Sequence, residues 1–535
     1  MKVTELERQE FKKRYNQLYT EGGLTKTQAI SIIADEFDRG KTTIYDNIHM
    51  PDESGIEIAE PIIRESPEFI PKSMPSVGYE KRRGNKTYIL TGWEIRIGIN
   101  EPFLECLDTL AKELNAEQLL VPIWHKDVDF VPQRLKDQFE IINEGIEFND
   151  NLIFHYSPTH ALVTSALAGW AGAFPGKSVI LGGLIKELTT EPSHISCKQL
   201  MTTGSVGYLD AGYEQYDGIK PDYDSTIHTD FYRRWNNVAG RNQGKTTAIA
   251  QKFIVPSALI VDIIDDNIFL TRYVSMHESG VIYDLDKKIT KDKVVKNTPS
   301  ALVLGDYHVW TMDENTHKVN KEMIEFFKPK ETILNDTFDG ASVCYHEQND
   351  SILQSKAPSI EEEATLTKKV IKELTNLGKM VYLHSNHCEF LVKWLNSGER
   401  FWRTNGNLAD CYELQAYRIR TGKHPIIKLL DLETTPNLYF SSDRETYYVN
   451  NVVTAHGHEF YRGGGFKSFV KAYNNVVTGH EHKPQVFRNG VCVGATATRE
   501  QSYSIGVSAS MGANCLIQPD DSLQLLNIIG TVWKR

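Results

Sequence analysis

Two pairs of potential metal ligands occur in this chain at the same close spacing. His480 and His482 follow a short apolar run in NNVVTGHEHKPQ, and Asp306 and His308 end another apolar run in ALVLGDYHVW. Where a strand ends and the chain begins to turn, two residues at this spacing can both reach one metal ion. Carboxylate oxygen and imidazole nitrogen together suit borderline divalent ions. The two pairs therefore indicate a metal site.

Three further stretches place the same kinds of residue after apolar runs. TILNDTFDGAS carries Asp336 and Asp339, KMVYLHSNHCEF carries Asn386 and His387, and NVVTAHGHEFY carries His456. The two aspartate-bearing strand ends are 30 residues apart (336 − 306), which is enough for one crossover helix. The pattern predicts strands that deliver metal ligands at their ends.

The order of these five stretches resembles the calcineurin-like metallophosphoesterase superfamily. Its motifs are DxH, GDxxD, GNH followed by an acid, an isolated histidine near glycine, and GHxH. The resemblance implies a two-sheet αββα sandwich over residues 299–535 that binds two divalent ions, with Mn²⁺ the foremost candidate and Mg²⁺, Fe²⁺ or Zn²⁺ as alternatives. It also implies that the ions share Asp336, that they activate water, and that His387 faces the substrate as the catalytic histidine. The ligands it implies are Asp306, His308, Asp336 and His482 for one ion, and Asp336, Asn386, His456 and His480 for the other.

The chain departs from this pattern at several positions. Asn335 and Ser385 replace glycines, and Cys388 replaces an acid that normally supports the substrate-facing histidine, a role Glu389 could take over. The third and fourth motifs are separated by 70 residues (456 − 386), which implies an insertion at roughly 398–440. None of these departures removes an implied metal ligand.

Other residues near the motifs have less specific patterns. His458 is an alternative to His456, which is preferred because Gly457 follows it directly. Arg462 lies in a glycine-rich stretch, YRGGG, which indicates either a substrate-phosphate contact or a flexible hairpin. Three histidines are more typical of surface or core positions than of ligands, with a substrate contact as an alternative for the first: His346, His384 and His424.

The N-terminal residues 1–48 have helical periodicity and resemble a helix-turn-helix. Four residues of the second short helix would then face DNA: Lys41, Thr42, Thr43 and Tyr45. The alternative is a helical hairpin that packs on a neighbour or mediates self-association. Eight basic and eight acidic residues cancel in this segment, which weakens the DNA interpretation.

The residues between the two ends divide into a linker and a middle domain. Residues 49–86 are rich in Pro, Ser, Glu and Gly and are predicted to be a linker. Residues 87–298 begin with strand, helix and strand patterns (TYILTGW, FLECLDTLAKELN, AEQLLVPIW), which predict an α/β middle domain. The stretch AGRNQGKTT at 239–247 lacks the first glycine of a phosphate-binding loop and is interpreted as a surface loop.

Composition limits the class of protein. With 535 residues the chain is long enough for two to four domains. No apolar run is long enough to span a bilayer, and the charged N-terminus lacks a signal core, so we expect no membrane association. Seven cysteines without paired spacing favour a reducing cytoplasm. A net charge of −11 argues against non-specific coating of nucleic acid, but not against a local DNA site.

The resemblance extends to a more specific group. HSNHCEFLVKWL and VVTGHEHKPQVFRNGVCVG, together with the stretch from YILTGWE to LMTTGSVGYLD, look like phosphoesterases encoded by large bacterial viruses, usually described as DNA exonucleases or repair nucleases. This implies a DNA-degrading phosphodiesterase that forms homo-oligomers in the host cytoplasm. Two alternatives remain open. One is a small-molecule or nucleotide phosphodiesterase, and the other is a DNA-binding regulatory or transfer protein with a scaffold phosphoesterase domain.

Overall fold

The structure is a computed structural model, and the chain in it divides into two compact units, Met1–Lys72 and Ser73–Arg535. The residues that it describes are 5–21, 26–37, 44, 79–82, 84–94, 98–123, 131–155, 178–181, 200–202, 207–208, 256–278, 280–344, 357–397, 407–441, 446–458, 465–473, 475–487, 489–497 and 512–535. Over these ranges the protein is mixed α/β, as the sequence predicts. No helix among them has the length and apolar character needed to cross a membrane.

In the part of the first unit that the structure describes there are two α-helices, α1 (Glu5–Tyr15) and α2 (Lys26–Glu36), with a π-helical segment at Asn16–Glu21. A small apolar core joins them, in which Phe11 and Ile33 are fully buried. The four predicted DNA-contacting residues, Lys41, Thr42, Thr43 and Tyr45, lie outside the described residues. The helix-turn-helix therefore stays a prediction.

The middle of the chain begins with the predicted strand, helix and strand. Two parallel strands, β2 and β4, flank helix α3, whose first turn is capped by the Asn100 side chain. Within the described residues the elements of this region are β1 (Glu80–Lys81), β2 (Thr87–Glu94), β3 (Gly98–Ile99), α3 (Glu101–Leu114), β4 (Glu117–Ile123), α4 (Gln133–Lys136), β5 (Glu140–Ile141), β6 (Ile146–Asn149), β7 (Leu152–His155), β8 (Ser178–Leu181), β9 (Leu200–Thr202), β10 (Gly207–Tyr208), β11 (Ser257–Ile263), β12 (Phe269–Ser275), β13 (Ile282–Asp284), β14 (Lys287–Ile289) and β15 (Val294–Lys296).

These strands form two larger and two smaller sheets. The larger ones have the orders β12-β11-β2-β4-β5 and β1-β6-β7-β8-β9, and they share one apolar core. Helix α3 covers the other face of the first sheet, with Phe103 and Leu107 fully buried there. Strands β10 and β3 pair with each other, and β13-β14-β15 form a three-stranded meander. The loop predicted at 239–247 lies outside the described residues.

The C-terminal part holds the five motif-bearing stretches. Its described elements are β16 (Ala301–Val303), α5 (Glu314–Phe327), β17 (Glu331–Leu334), α6 (Ile360–Thr375), β18 (Met380–Tyr382), α7 (Asn386–Asn396), α8 (Leu408–Thr421), α9 (Pro425–Leu429), β19 (Leu438–Phe440), β20 (Tyr447–Val449), β21 (Val452–Ala455), α10 (Gly465–Tyr473), β22 (Val476–Thr478), β23 (Gln485–Phe487), β24 (Gly490–Cys492), β25 (Gly512–Ile517) and β26 (Leu523–Ile528), with 3₁₀ turns at Val309–Thr311 and Ala341–Val343.

Two sheets meet in this part of the chain. One has the order β19-β18-β17-β16-β25-β26 and the other β20-β21-β22-β24-β23. Fully buried residues of both sheets, such as Val303 and Val477, share one core. Helices α5 and α6 pack with the first sheet in a second core, and α10 packs against the second sheet. The opposed sheets therefore bring their strand ends close together.

A buried charge network connects the middle strands to the C-terminal end. Arg272 on β12 is paired with Asp262 and donates to Asp284 at 2.6 Å and 2.8 Å. Lys534 donates to Asp262 at 2.7 Å, and the Gln524 amide on β26 donates to Asp284 at 3.2 Å. Because removing one partner would leave an uncompensated buried charge, this network holds the two regions in register.

Candidate metal centre

The motif residues converge because the strands that carry them are parallel. Strands β16, β17 and β18 run in parallel, so their carboxyl ends lie at one edge of the first sheet. Strands β21 and β22 are parallel in the second sheet. Every predicted metal ligand follows one of these five strands, as does His387. The structure brings all eight side chains into one buried cluster, whose members are Asp306, His308, Asp336, Asn386, His387, His456, His480 and His482.

Asp306 lies where the two sheets meet. Its Oδ2 atom is 3.3 Å from Nε2 of His482 and accepts the backbone N–H of His480 at 2.6 Å, while its Oδ1 atom is 3.5 Å from Nδ1 of His456. The carboxylate occupies the space beside Gly479, where a Cβ atom would lie 2.0 Å from Oδ1. Glycine at 479 is therefore required by this close approach.

Asp336 lies at the middle of the cluster. Its Oδ2 atom is 3.5 Å from Nε2 of His308, 3.3 Å from Nδ1 of His387 and 3.6 Å from Nε2 of His456. The His308 Nε2 atom is also 2.9 Å from Nε2 of His482. The position of Asp336 between the two groups of histidines is the one expected of a carboxylate shared by two ions.

Asn386, His456 and His480 form the other side of the cluster. The Asn386 Oδ1 atom lies 2.7 Å from Nε2 of His456, and the same ring nitrogen lies 3.2 Å from Nδ1 of His480. Asn386 is the first residue of α7, so the helix start fixes its side chain near the strand ends. His458 lies beside this group, with ring centroids 5.4 Å from His456.

Several buried polar atoms in the cluster make no hydrogen bond within the described part of the chain. They are Oδ1 of Asp306, Oδ1 of Asp336, Nδ1 of His387 and Nδ1 of His456. A buried polar group without a hydrogen bond costs about 1–3 kcal/mol. Ligand atoms about 2.0–2.1 Å from a common metal ion lie about 3–3.5 Å apart, which matches most of the separations between these side chains. The residues present therefore fit divalent metal ions.

Two compact groups of three ligand atoms lie within this cluster. Asp306, His308 and His482 form one, and His308, Asp336 and His387 form the other. The first agrees with the set that the resemblance implies for one ion. The second brings His387 as close to Asp336 as the ligand histidines are, although the resemblance places it on the substrate side.

Four of the candidate ligands have a left-handed backbone, which is rare for residues other than glycine. The φ angles are 44° at His308, 40° at Asp336, 71° at His480 and 53° at His482. Such conformations cost about 1–3 kcal/mol each and concentrate at functional sites. The backbone at these strand ends is therefore shaped for the side chains it presents.

The charges in the cluster perturb its titration. Burial would raise the pKa of Asp336, but the charges of His387 and His308 lower it to about 2. Burial opposes protonation of His308, yet the carboxylates of Asp336 and Asp339 raise its pKa to about 9. Burial lowers the pKa of His387 to about 4, and it lowers that of His480 to about 4. Burial would also raise the pKa of Asp306, but His456 and His482 hold it well below its usual range. Asp306 and Asp336 are thus ionised near neutral pH, and the proton on His308 partly offsets their charge.

Asp339 supports the cluster from behind. Its carboxylate accepts from Thr311 Oγ1 at 3.0 Å and lies 3.2 Å from Nδ1 of His308, so it fixes the orientation of that ring. Its Oδ1 atom is 4.0 Å from Nδ1 of His387. Glu389, which the sequence offers as a replacement for the missing acid, lies instead 3.3 Å from His384.

The loop that carries Asp336 and Asp339 is anchored by Glu363, which the sequence interpretation did not single out. This fully buried carboxylate on α6 accepts the backbone N–H of Ala341 at 3.0 Å and of Ser342 at 2.9 Å, as well as the Ser342 hydroxyl at 2.5 Å. In the sequence it stands in the acidic first turn IEEE of a helix, which ordinarily faces solvent. Nothing in the sequence pattern distinguishes Glu363 from the glutamates beside it.

Two of the positions at which the sequence departs from the family's motifs have local structural explanations. The Ser385 hydroxyl caps α7 by accepting the N–H of Cys388, and the Cys388 thiol is buried beside it. Asn335 donates to the carbonyl of Leu304 at 3.1 Å, which ties β17 to β16. The predicted phosphate contact Arg462 lies outside the described residues, and so does His346, for which a substrate contact is the alternative to a surface or core position.

No protein-family model, curated protein or solved structure matches this chain.

Proposed function

We propose that this chain is a metal-dependent phosphodiesterase that hydrolyses DNA, with a calcineurin-like metallophosphoesterase domain over residues 299–535. The observation that carries the proposal is the convergence of all seven predicted ligands and His387 on one buried cluster. Two opposed sheets with helices packed against them agree with the αββα sandwich of that superfamily. The order of the ligands along the chain and their clustering at the strand ends both support this proposal.

The chain offers ligands for two ions, Mn²⁺ foremost, with Mg²⁺, Fe²⁺ or Zn²⁺ as alternatives. Asp336 would be shared by both ions, and the other ligands would divide as the motif order implies: Asp306, His308 and His482 for one, and Asn386, His456 and His480 for the other. Such a pair of ions supplies Lewis acidity toward a phosphoryl group and a source of hydroxide at neutral pH.

His387 is proposed to act on the substrate through a hydrogen bond. Since burial lowers its pKa to about 4, the ring is neutral near pH 7 and keeps one N–H to donate. A neutral imidazole can polarise a phosphoryl oxygen or stabilise the departing alkoxide without carrying a full charge. Asp339 is a positioning residue, because it acts through the His308 ring.

DNA is the proposed substrate because of the resemblance to viral nucleases and the helical N-terminal unit. The net charge of −11 means that metal ions and local basic residues must offset the phosphate charge. Arg462 and the residues Lys41–Tyr45 are the proposed local contacts. We expect the protein to act as a homo-oligomer in a bacterial cytoplasm, where degradation of host DNA is the proposed role.

The test is a nuclease assay with a metal series on linear, nicked and closed circular DNA. We expect cleavage that requires Mn²⁺ and is lost in Asp306→Ala and His482→Ala, while His277→Asn, an exposed histidine outside the centre, retains it. Intact DNA under every metal would contradict the proposal. Turnover of bis(p-nitrophenyl) phosphate without DNA cleavage would favour a small-molecule phosphodiesterase. Tight metal-independent DNA binding that requires Lys41 and Tyr45 would favour a regulatory protein.

A further inference from the structure

A second group of metal-binding side chains lies outside the cluster described above. His384 stands in the connection between β18 and α7, Glu389 lies on α7, and His424 is the N-cap of α9. One ligand atom from each lies within 4.8 Å of the others. His384 and His424 are each only 9% exposed. None of the three is among the proposed ligands of the dinuclear centre.

The separation of His384 and Glu389 fits two ligands of one metal ion as well as it fits an ion pair. Nε2 of His384 lies 3.3 Å from Oε1 of Glu389, yet neither ring nitrogen of His384 makes a hydrogen bond within the described residues. Two atoms that bind one tetrahedral ion at about 2.0–2.1 Å are about 3.4 Å apart. A cation between them would give a partner to a buried ring whose nitrogens make no hydrogen bond within the described residues.

His424 completes the group from α9, which packs beside α7. Its ring contacts that of His384 edge to face, with centroids 5.0 Å apart. Its Nδ1 atom accepts the N–H of Ile426 at 3.2 Å and so caps α9. A metal ion on either ring nitrogen replaces this cap. A bound structural metal ion stabilises a fold more than one capping hydrogen bond does, so the exchange is favourable.

The chemistry of the three groups defines the class of ion. Two neutral imidazoles and one carboxylate favour borderline divalent ions, Zn²⁺ above all, over Ca²⁺ or Mg²⁺. The group sits where two helices pack, because α7 and α9 share an apolar core. Glu389 is partly exposed, which gives an ion a path from solvent.

We propose that His384, Glu389 and His424 form a third, mononuclear site for a divalent ion of the Zn²⁺ class. The ion ties α9, within the insertion predicted at 398–440, to α7, which begins with Asn386 and His387. The third site thus holds the start of α7 against α9, beside the strand end of β18. The proposal does not depend on DNA being the substrate.

The experiment is metal analysis of the full-length protein after equilibration with Zn²⁺ and removal of free ion. We expect three equivalents in the wild type and two in both Glu389→Gln and His424→Asn, since asparagine retains the capping oxygen. His277→Asn should keep three. Asp336→Asn, which disrupts the dinuclear centre, should keep the third equivalent.

The outcomes separate this proposal from the proposed function. Two equivalents in the wild type, unchanged in Glu389→Gln and lost in Asp336→Asn, would overturn the third site and leave the dinuclear centre standing. One equivalent in the wild type, lost in Glu389→Gln, would support the third site and contradict the dinuclear centre. If His424→Asn fails to fold, titration of metal-free wild type and Glu389→Gln with Co²⁺ decides the question. The wild type alone should show an additional tetrahedral absorption band, and identical spectra would refute the proposal.

Discussion

Replacing Gly479 with alanine tests the candidate centre without removing any ligand. The φ angle at Gly479 is not in the left-handed region, so alanine adds no backbone strain there. Its Cβ atom would lie 2.0 Å from Oδ1 of Asp306 and 3.0 Å from Cγ. A carbon and an oxygen need a separation of about 3.2 Å, so the carboxylate must move by about 1 Å. Its neighbours limit the directions open to it, because His480 N–H holds the other oxygen at 2.6 Å.

A shift of this size has two consequences. A misplacement of about 1 Å at a catalytic group can lower turnover about 100-fold. Overpacking a buried position also costs about 1–3 kcal/mol of stability, which a chain of this size can tolerate. We therefore expect Gly479→Ala to fold, to bind Mn²⁺ at least 10-fold more weakly and to hydrolyse bis(p-nitrophenyl) phosphate about 100-fold more slowly.

The assay compares Mn²⁺ titration and phosphodiester turnover in the wild type, Gly479→Ala and Gly378→Ala. Gly378 is the matched control, because a Cβ atom there would meet nothing within 4 Å. Circular dichroism and thermal unfolding show whether each variant is folded. Turnover and Mn²⁺ affinity within twofold of wild type in Gly479→Ala would refute the placement of Asp306 as a ligand. Equal losses in both variants would show that the effect is not local.

Three further predictions follow from the electrostatics and anchoring of the centre. Asp336→Asn should lower turnover at least 100-fold and abolish binding at the dinuclear centre, and retention of both Mn²⁺ equivalents on metal analysis would contradict the shared-ligand role. Because the neighbouring carboxylates raise the pKa of His308 to about 9, Mn²⁺ binding at pH 7.5 should release at least one proton. Calorimetry in buffers of different ionisation heat would show this, and identical heats would count against it. Burial and then the charge of Asp339 raise the pKa of Glu363 from 4.5 to about 7. The protonated Glu363 side chain therefore stabilises the fold fully below pH 4.5. This stabilisation, about 3 kcal/mol, is lost as pH rises through 7. In chelated protein Glu363→Gln should flatten the fall in melting temperature between pH 5 and 7, whereas the exposed neighbour variant Glu361→Gln should not; an unflattened profile in Glu363→Gln would refute this origin.

The convergence of the motif residues could be anticipated from the sequence because it depends on strand ends. Each motif follows a short apolar run, and parallel strands bring such ends to one edge of a sheet. Local sequence contains both parts of this information, the residue types and the strand pattern. Two features follow from such local information: the pairing of β16 with β17, and the predicted α/β unit around α3.

The parts that could not be anticipated depend on distant or backbone-level features. Asp and His adopt a left-handed φ more often than most residues, but their type alone does not single out His308 and Asp336. The strand-end hydrogen bonds accompany this conformation, as where the backbone N–H of His308 donates to the Asp336 carbonyl at 2.9 Å. The predicted insertion likewise contains more than a loop, since β19 joins the first sheet beside β18. His424 is 38 residues beyond Asn386 (424 − 386), the first residue of α7. No rule of motif spacing predicts that a histidine so far along the chain lies beside His384.

Bound cations would compensate both the strained backbone and the buried carboxylates of the centre. Four left-handed residues cost about 4–12 kcal/mol together, and the Asp306 and Asp336 oxygens without hydrogen bonds add to that cost. Hydrogen bonds between strand ends, such as Gly479 N–H to the His456 carbonyl at 3.1 Å, hold the arrangement but do not neutralise its charge. The proton on His308 does so only in part, whereas divalent ions would neutralise both carboxylates and satisfy the oxygens that make no hydrogen bond within the described residues. The geometry and charge of the strand ends therefore fit divalent cations, which would compensate both the backbone strain and the negative charge.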